Sequence, residues 1–267
     1  MIYGAMNFPV RPVLEEIESI SALGFDYLEL TMDPPEAASF AIREQKDEIL
    51  QALNNAGMKL VCHLPSFLFT ADLTDRIREA SVLEMLDCLE TAKELNPLKV
   101  VLHPSYITGL GVFVESLAKL YAAESLERIV QKADELELSL CLENMFPRAG
   151  SIVNPDEFIP ILEQFPSLKI TLDIGHANIG SKNGKRNLEF IEKLGDKIGH
   201  IHASDNFGKE DNHLPIGAGI INFKKIMKRL RKTGYDDTVT LEIFSNDRNY
   251  LRISREKFET ILTSSGT

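Results

Sequence analysis

Several apolar runs of the chain end in a residue type that binds metal ions. The terminal residues of these runs are His63, His103, Glu143, Asp173, His202 and Glu242. A buried strand normally carries apolar side chains, so a carboxylate or imidazole at its end is costly unless a partner compensates it. Mixed carboxylates and imidazoles suit divalent ions such as Zn²⁺ or Mn²⁺. We therefore expect one metal-centred site assembled from strand ends.

Two further segments add candidate ligands. In ITLDIGH, His176 follows Asp173 where the chain leaves the sixth strand. Asp211 and His213 form a D-x-H element that precedes a G-x-G element. Acidic loops of this kind are usually only turns. Here the two elements together suggest a closing loop that presents ligands to the site.

Each candidate also has a simpler explanation. A single histidine at a strand end is often a satisfied core residue. For the whole set, that coincidence would have to recur in every strand from the third to the eighth. Glu29 ends the second strand and either reaches the mouth or bonds a neighbouring strand end. His200 lies one layer below His202, so it lines the barrel or orients that ligand.

The loops after the third and fourth strands carry candidate substrate contacts. Phe67 and Tyr106 are placed to wall a small-molecule pocket beside His63 and His103. Aromatic loop residues more often pack on their own barrel, and that alternative stays open.

The chain supplies the strands and helices needed to position these residues. Strand-like runs lie at 2–5, 27–30, 59–63, 99–103, 138–143, 169–173, 198–202 and 238–242. Helical periodicity covers 12–23, 42–56, 75–95, 113–136, 155–164, 187–194, 222–233 and 250–263. This alternation predicts the α/β class and a single (β/α)₈ TIM barrel, whose strands direct their C-terminal ends toward one site. An open doubly wound sheet would not gather these ligands around one axis.

Composition indicates one domain spanning residues 1–267, without a linker or low-complexity run. The net charge of −11 gives no general attraction to nucleic acid or to an anionic membrane. We expect a cytoplasmic protein with no membrane partner, because no stretch reaches the roughly 18 apolar residues that span a bilayer. Cys62, Cys88 and Cys141 read as buried thiols.

The chain resembles the superfamily of xylose isomerase-like TIM barrels, which holds sugar and sugar phosphate isomerases and epimerases and also endonuclease IV. The resemblance runs over nearly the whole chain. Its most specific motifs are LEN at 142–144, LDIGH at 172–176, HIHASDN at 200–206 and DNHLPIGAGIINF at 211–223.

Resemblance to the epimerases implies a divalent-metal-dependent sugar or sugar phosphate isomerase or epimerase. Glu143, Asp173, His202 and Glu242 would hold one metal, with Glu143 and Glu242 as the catalytic acid and base. His176 would steady a substrate oxygen as the third catalytic residue. A metal that polarises a carbonyl makes the neighbouring C–H acidic enough for a carboxylate base.

Resemblance to endonuclease IV (AP endonuclease family 2) implies a different enzyme, a zinc phosphodiesterase acting on abasic DNA. Its metal ligands would be His63, His103, Glu143, Asp173, His176, His202, Asp211, His213 and Glu242. Nucleic acid is a partner only under this alternative. The identity of the metal, zinc or manganese, and the number of bound ions, from one to three, therefore stay open.

The chain departs from both patterns. After Glu143 it reads NMFPRAG, without the arginine and second glutamate usual in the epimerases, and Gly208 stands about where another epimerase arginine falls. The first strand lacks the histidine of the nuclease opening. A metal-binding barrel without catalysis is a third alternative, although the presence of both Glu143 and Glu242 argues against it. A homodimer stays open, because helices can bury such a face without a sequence mark.

Overall fold

Eight parallel strands close into a barrel in the computed structural model, which describes residues 1–264. The strands follow chain order, and β1 pairs with β8 to complete the ring. The strands are β1 Ile2–Met6, β2 Tyr27–Thr31, β3 Lys59–His63, β4 Val100–Leu102, β5 Leu140–Glu143, β6 Lys169–Asp173, β7 Ile198–Ala203 and β8 Thr238–Leu241. The predicted (β/α)₈ barrel is confirmed, while the predicted boundary at residue 267 lies outside the described residues.

Helices surround the strands. They are α1 Val13–Ala22, α2 Ser39–Glu44, α3 Lys46–Ala56, α4 Asp75–Leu95, α5 Glu115–Glu135, α6 Pro155–Gln164, α7 Ile174–Asn178, α8 Lys185–Leu194, α9 Phe223–Arg231 and α10 Asn249–Ser264. Short 3₁₀ turns cover Gly109–Val114, Pro147–Ala149 and Lys182–Gly184. Helices α4 and α6 have the predicted bounds.

Three local predictions need correction. The helix predicted over 42–56 is two helices, α2 and α3, because Gln45 leaves helical geometry with φ −108° and ψ 14°. The segment after β6 is a short helix rather than a loop, since the Asp173 carboxylate caps it by accepting from the His176 amide at 2.6 Å. Strands β4 and β8 end one residue before His103 and Glu242.

Side chains of the strands alternate between two buried environments. Leu28 and Leu30 point outward into the main apolar core beneath the helices. Tyr27, on the other face of β2, packs with Val61 and Val101 in a small separate cluster inside the barrel. The same inward face carries the polar strand-end residues, so the ligand candidates share the barrel interior.

An irregularity in β7 keeps its two histidines on that inward face. The pairing of β6 with β7 shifts register between Ile170 and Thr171, so Ile170 pairs with Ile198 and Thr171 with His200. Gly199 is the extra residue, and a Cβ there would lie 2.8 Å from the Cβ of Lys169. Bulges of this kind occur beside active sites, where they redirect side chains.

The other expectations concern the surface and the thiols. All three cysteines are free and buried, as predicted. Within residues 1–264, none of the helices has the length and apolar composition that a bilayer crossing requires. Exposed apolar side chains occur at Leu110 and Phe113, which are 74% and 84% exposed. The homodimer and the cytoplasmic location stay predictions.

Candidate metal centre

Glu143, at the end of β5, lies at the centre of the predicted ligand set. Its Oε2 atom is 3.6 Å from His63 Nε2 and 3.4 Å from His103 Nε2. The same oxygen lies 3.2 Å from His202 Nδ1. One carboxylate therefore faces imidazoles from the ends of three other strands.

A second group forms around the Nδ1 atom of His202. Glu242 Oε1 is 3.1 Å from this nitrogen, and Asp173 Oδ2 is 3.9 Å from it. Glu143, Asp173 and His202 offer ligand atoms within 4.8 Å of one another, and so do His63, His103 and Glu143. The two groups share Glu143, so it can bridge two positions.

A third group lies at the outer side of the mouth. Asp211 Oδ2 is 3.1 Å from His176 Nε2 and 2.9 Å from His213 Nε2. His213 adopts a left-handed backbone conformation with φ 44°, which is uncommon for a residue other than glycine. The structure thus brings all of the sequence-predicted ligand residues into one connected cluster.

The histidine hydrogen bonds fit metal ligation. Nδ1 of His63, His176 and His213 lies within 3.2 Å of a backbone carbonyl, of Leu64, Asn144 and Glu242 respectively. A carbonyl only accepts, so each Nδ1 carries the proton, and in the neutral ring Nε2 keeps its lone pair toward a cluster carboxylate. Second-sphere acceptors fix metal-binding histidines in this way.

Several buried polar atoms of the cluster make no hydrogen bond within the described structure. They are both carboxylate oxygens of Glu143, Asp173 Oδ2, Asp211 Oδ1 and His202 Nδ1. Glu143 and His202 are fully buried, and Asp173 is 1% exposed. Unsatisfied buried carboxylates are costly, and a divalent cation would compensate several of them together. The residues present therefore fit a bound divalent metal.

A deeper buried network supports His202 from below. Glu29 Oε1 accepts a hydrogen bond from His202 Nε2 at 2.8 Å, and its Oε2 accepts one from His200 Nε2 at 2.9 Å. Thr240 also donates to Glu29 Oε2. Because these polar atoms are satisfied, the group of Glu29, His200 and His202 is a hydrogen-bonded network rather than a second ion site. Of the two interpretations left open for Glu29, the structure shows the hydrogen bond.

Burial and neighbouring charges shift the pKa values of the titratable groups in the cluster in different directions. Burial favours a neutral Glu143, but His202 and His103 outweigh it and hold the pKa of Glu143 well below its usual range. Burial raises the pKa of Glu242 to about 8. Burial disfavours a charged His202, yet the carboxylates around it raise its pKa well above the usual range. Burial lowers the pKa of His200 to about 4, so this ring is neutral.

Asn144, in the LEN motif, was not identified from the sequence as a functional residue. Its Nδ2 donates to the carbonyl of Asp173 at 3.1 Å, and its Oδ1 accepts from the Asp173 amide at 2.9 Å. Its own carbonyl accepts from His176. Asn144 therefore fixes two candidate ligands relative to β5.

Aromatic side chains surround the cluster at the mouth. The Tyr106 hydroxyl lies 2.8 Å from His103 Nδ1, which brings this predicted wall residue to the site. Phe146 and Phe244, which the sequence did not single out, have ring centroids 5.0 Å from His176 and 4.7 Å from His213. Phe67 is 78% exposed on the loop after β3, and its role in substrate binding stays a prediction.

Known proteins share this architecture. The chain matches the family described as xylose isomerase-like TIM barrel over residues 17–261. It belongs to that family. A crystal structure of a D-tagatose 3-epimerase-like protein superposes with a TM-score of 0.87 at 30% sequence identity, over 99% of this chain and 98% of that chain.

Two curated relatives extend the comparison. Uncharacterized protein MJ1311 of Methanocaldococcus jannaschii is 33% identical over 251 residues, covering 91% of this chain and 83% of the relative. Fructoselysine 3-epimerase of Escherichia coli O157:H7 is 24% identical over 266 residues, covering 94% of each chain. The similarity thus extends over most of the length of these proteins.

Proposed function

We propose that this family member is a divalent-metal-dependent epimerase or isomerase of a small ketose or ketose phosphate. The observation that carries the proposal is the pair Glu143 and Glu242, whose oxygens lie 3.2 and 3.1 Å from the same His202 nitrogen. The names of two similar proteins, fructoselysine 3-epimerase and the D-tagatose 3-epimerase-like protein, support the same class of reaction.

The metal ligands in this proposal are Glu143, Asp173, His202 and Glu242. A divalent ion bound there supplies positive charge that polarises a neighbouring carbonyl and acidifies the adjacent C–H. The donor set of carboxylate oxygens and one imidazole suits manganese or zinc. Both elements remain within the proposal.

Proton transfer falls to the two glutamates. They extend from the ends of β5 and β8, strands well separated around the ring. One glutamate, as the carboxylate, removes the proton from the substrate carbon, and the other, as the carboxylic acid, returns a proton to the opposite face, which inverts the centre. Burial disfavours a charged His176, yet Asp173 and the neighbouring carboxylates raise its pKa well above the usual range. The protonated ring, held at Nδ1 by the Asn144 carbonyl, would donate its Nε2 hydrogen to a substrate oxygen. Glu242 is only 5% exposed, so little water reaches the pair.

The test is proton exchange at carbon in deuterated water. Metal-loaded protein is incubated with a panel of ketoses and ketose phosphates, and deuterium beside the carbonyl is measured by mass spectrometry. Glu242→Gln should reduce exchange by about 100-fold or more, the usual contribution of a positioned acid or base.

Glu210→Gln provides the control, because Glu210 is exposed on the loop that carries Asp211. It should keep full activity. Undiminished exchange in Glu242→Gln would remove the role assigned to that residue. Absence of exchange with every ketose would contradict the proposed reaction itself.

The three-group cluster favours one second candidate, a zinc phosphodiesterase acting on abasic DNA. The pair Asp211 and His213 and the pair His63 and His103 have no required part in a one-metal proton transfer. Even so, both His63 and His103 face the Glu143 carboxylate, and Asp211 lies 2.9 Å from His213. Metal analysis of purified protein separates the candidates: about one ion per chain fits the epimerase, and two or three zinc ions fit the phosphodiesterase. Cleavage of an abasic duplex would then decide. A metal-loaded protein inactive in both assays would fit the non-catalytic barrel.

A further inference from the structure

A small polar cavity lies beside the metal centre, where the loops after β8 and β1 meet. Its volume is about 110 Å³. The lining residues are Phe8, Arg11, Phe244, Ser245, Asn246 and Arg248. A water molecule takes about 30 Å³ in the liquid, so the cavity has room for one compact polyatomic group and its hydration.

The cavity lining contains two arginines and no acidic residue. Arg248 pairs with the buried carboxylate of Glu16, and Arg11 Nη1 lies 4.0 Å from the other oxygen of that carboxylate. Glu16 also accepts a hydrogen bond from the amide of Phe8 at 2.8 Å. The nearby Asp247 carboxylate accepts from the amide of Asn249 and so caps α10. Two guanidinium groups thus share one buried carboxylate in a chain of net charge −11.

The Glu16 contacts also order one of the two guanidinium groups. The Arg248 side chain is 13% exposed and held by Glu16, whereas that of Arg11 is 42% exposed and open to a further partner. An arginine presents five N–H donors, and the contact with Glu16 leaves several of them free on each side chain. The hydroxyl of Ser245 and the amide of Asn246 add uncharged polar groups to the lining.

The ring of Phe244 lies between the cavity and the candidate metal centre. The Phe244 ring centroid lies 4.7 Å from that of His213 and 6.0 Å from that of Phe8. Phe244 follows Glu242 by two residues, on the loop that leaves β8. A ligand held at Glu242 can therefore pass along the Phe244 ring and place its far end in the cavity.

We propose that this cavity binds an oxyanion at the end of the substrate distant from the metal, a phosphate monoester or a carboxylate. Arg11 makes the primary contact, Arg248 the second, and Ser245 and Asn246 complete the site. Guanidinium groups match the geometry of both oxyanions. This inference rests on the proposed function, because it assigns the charged end of the ketose on which the metal centre acts.

The test compares charged and uncharged ketoses in the deuterium-exchange assay. A ketose phosphate, the same ketose without phosphate, and a ketose with a carboxylate-bearing substituent are supplied to wild type, Arg11→Gln and Arg248→Gln. Arg252→Gln is the matched control, because Arg252 lies one turn further along α10 and pairs with Glu256. Binding of inorganic phosphate, measured by calorimetry, provides a readout that needs no turnover.

The expected result is a lower KM for one anionic ketose than for its neutral counterpart. Arg11→Gln should raise that KM by about 10- to 100-fold, the usual effect of losing a hydrogen bond to a charged group. It should leave kcat and the neutral ketose unchanged. The anionic ketose that shows the effect identifies phosphate or carboxylate as the ligand.

Equal KM values for neutral and anionic ketoses in wild type and Arg11→Gln would overturn the oxyanion site and leave the epimerase intact. If no ketose exchanges deuterium, but inorganic phosphate binds wild type and not Arg11→Gln, the oxyanion site stands and the epimerase proposal falls. Phosphate binding that Arg11→Gln and Arg248→Gln both retain at full strength overturns the site by a route independent of catalysis.

Discussion

Replacing Glu29 by Gln should weaken metal binding although Glu29 is not itself a ligand. The wild-type carboxylate accepts hydrogen bonds from His202 Nε2, His200 Nε2 and Thr240. Glutamine has the same shape but one of its ends becomes an NH₂ donor. That donor would face an imidazole N–H, unless the imidazole changes tautomer.

The consequence depends on which ring changes. If the NH₂ group faces His202, the ring proton moves to Nδ1, the atom that lies 3.2 Å from Glu143 and 3.1 Å from Glu242. A protonated Nδ1 cannot bind a metal. If the group faces His200 instead, that ring can donate to the Thr238 hydroxyl, 2.6 Å from its Nδ1. This change of tautomer at His200 limits the loss of metal affinity. The substitution still removes the negative charge next to His202.

We expect Glu29→Gln to reduce metal affinity by about 10- to 100-fold, as loss of an outer-sphere partner does. This corresponds to about 1.4 to 2.8 kcal/mol of binding free energy. Calorimetric titration of the metal-free protein with Mn²⁺ or Zn²⁺ measures it. The absorption spectrum of bound Co²⁺ should also change, which a general loss of stability would not cause.

Glu16→Gln is the control, because Glu16 is also a buried, hydrogen-bonded glutamate but contacts Arg248 rather than a candidate ligand. It should lower stability without changing metal affinity. Unaltered affinity and an unaltered Co²⁺ spectrum in a folded Glu29→Gln protein would refute the view that Glu29 orients His202.

Two further predictions concern pH and packing. Burial disfavours a charged His202, yet the surrounding carboxylates raise its pKa. The protonated ring therefore stabilises the metal-free protein at pH values below the unfolded-state pKa. This stabilisation is lost as pH rises through the folded-state pKa. Metal needs the neutral ring, so the rise in Tm on metal addition should be smaller at about pH 5.5 than at about pH 8; a pH-independent rise would contradict this. A Cβ at Gly4 would lie 2.1 Å from the Tyr27 ring. Gly4→Ala should therefore lower the free energy of unfolding, measured in urea, by about 1 to 3 kcal/mol. Gly111→Ala, with its nearest contact at 3.3 Å, should cost less, and equal losses would argue against the packing explanation.

The sequence predicted the cluster well because a barrel turns strand position into spatial position. Each strand from the third to the eighth ends in a residue of a metal-binding type. Closure of the sheet into a barrel is enough to bring these residues around one axis. That is why His63 and His202, far apart in the chain, lie near the same Glu143 carboxylate. The D-x-H element was also informative, because it kept Asp211 and His213 together whatever path the loop took.

The remaining features depend on contacts that no spacing reveals. Glu29 resembled any strand-end acid, and only the approach of His200 and His202 shows which partner it takes. Phe244 follows Glu242 closely, but its contact with His213 depends on the path of the β7 loop. The three-residue spacing of the core residues Ile198 and Ile201 reflects the extra residue at Gly199, but only the pairing with β6 shows it to be a bulge.

The buried network under the candidate metal centre gives this barrel a polar interior. Tyr27 and Thr240 hydroxyls lie 2.8 Å apart, and Thr240 in turn donates to Glu29. An apolar residue at position 29 would avoid the cost of burying a carboxylate but leave His202 Nε2 without an acceptor inside the barrel. The proton of His202 would then have no fixed position, and Nδ1 would be available to a metal only part of the time. The polar interior therefore stabilises one ligand geometry at the expense of the stability that apolar packing would give.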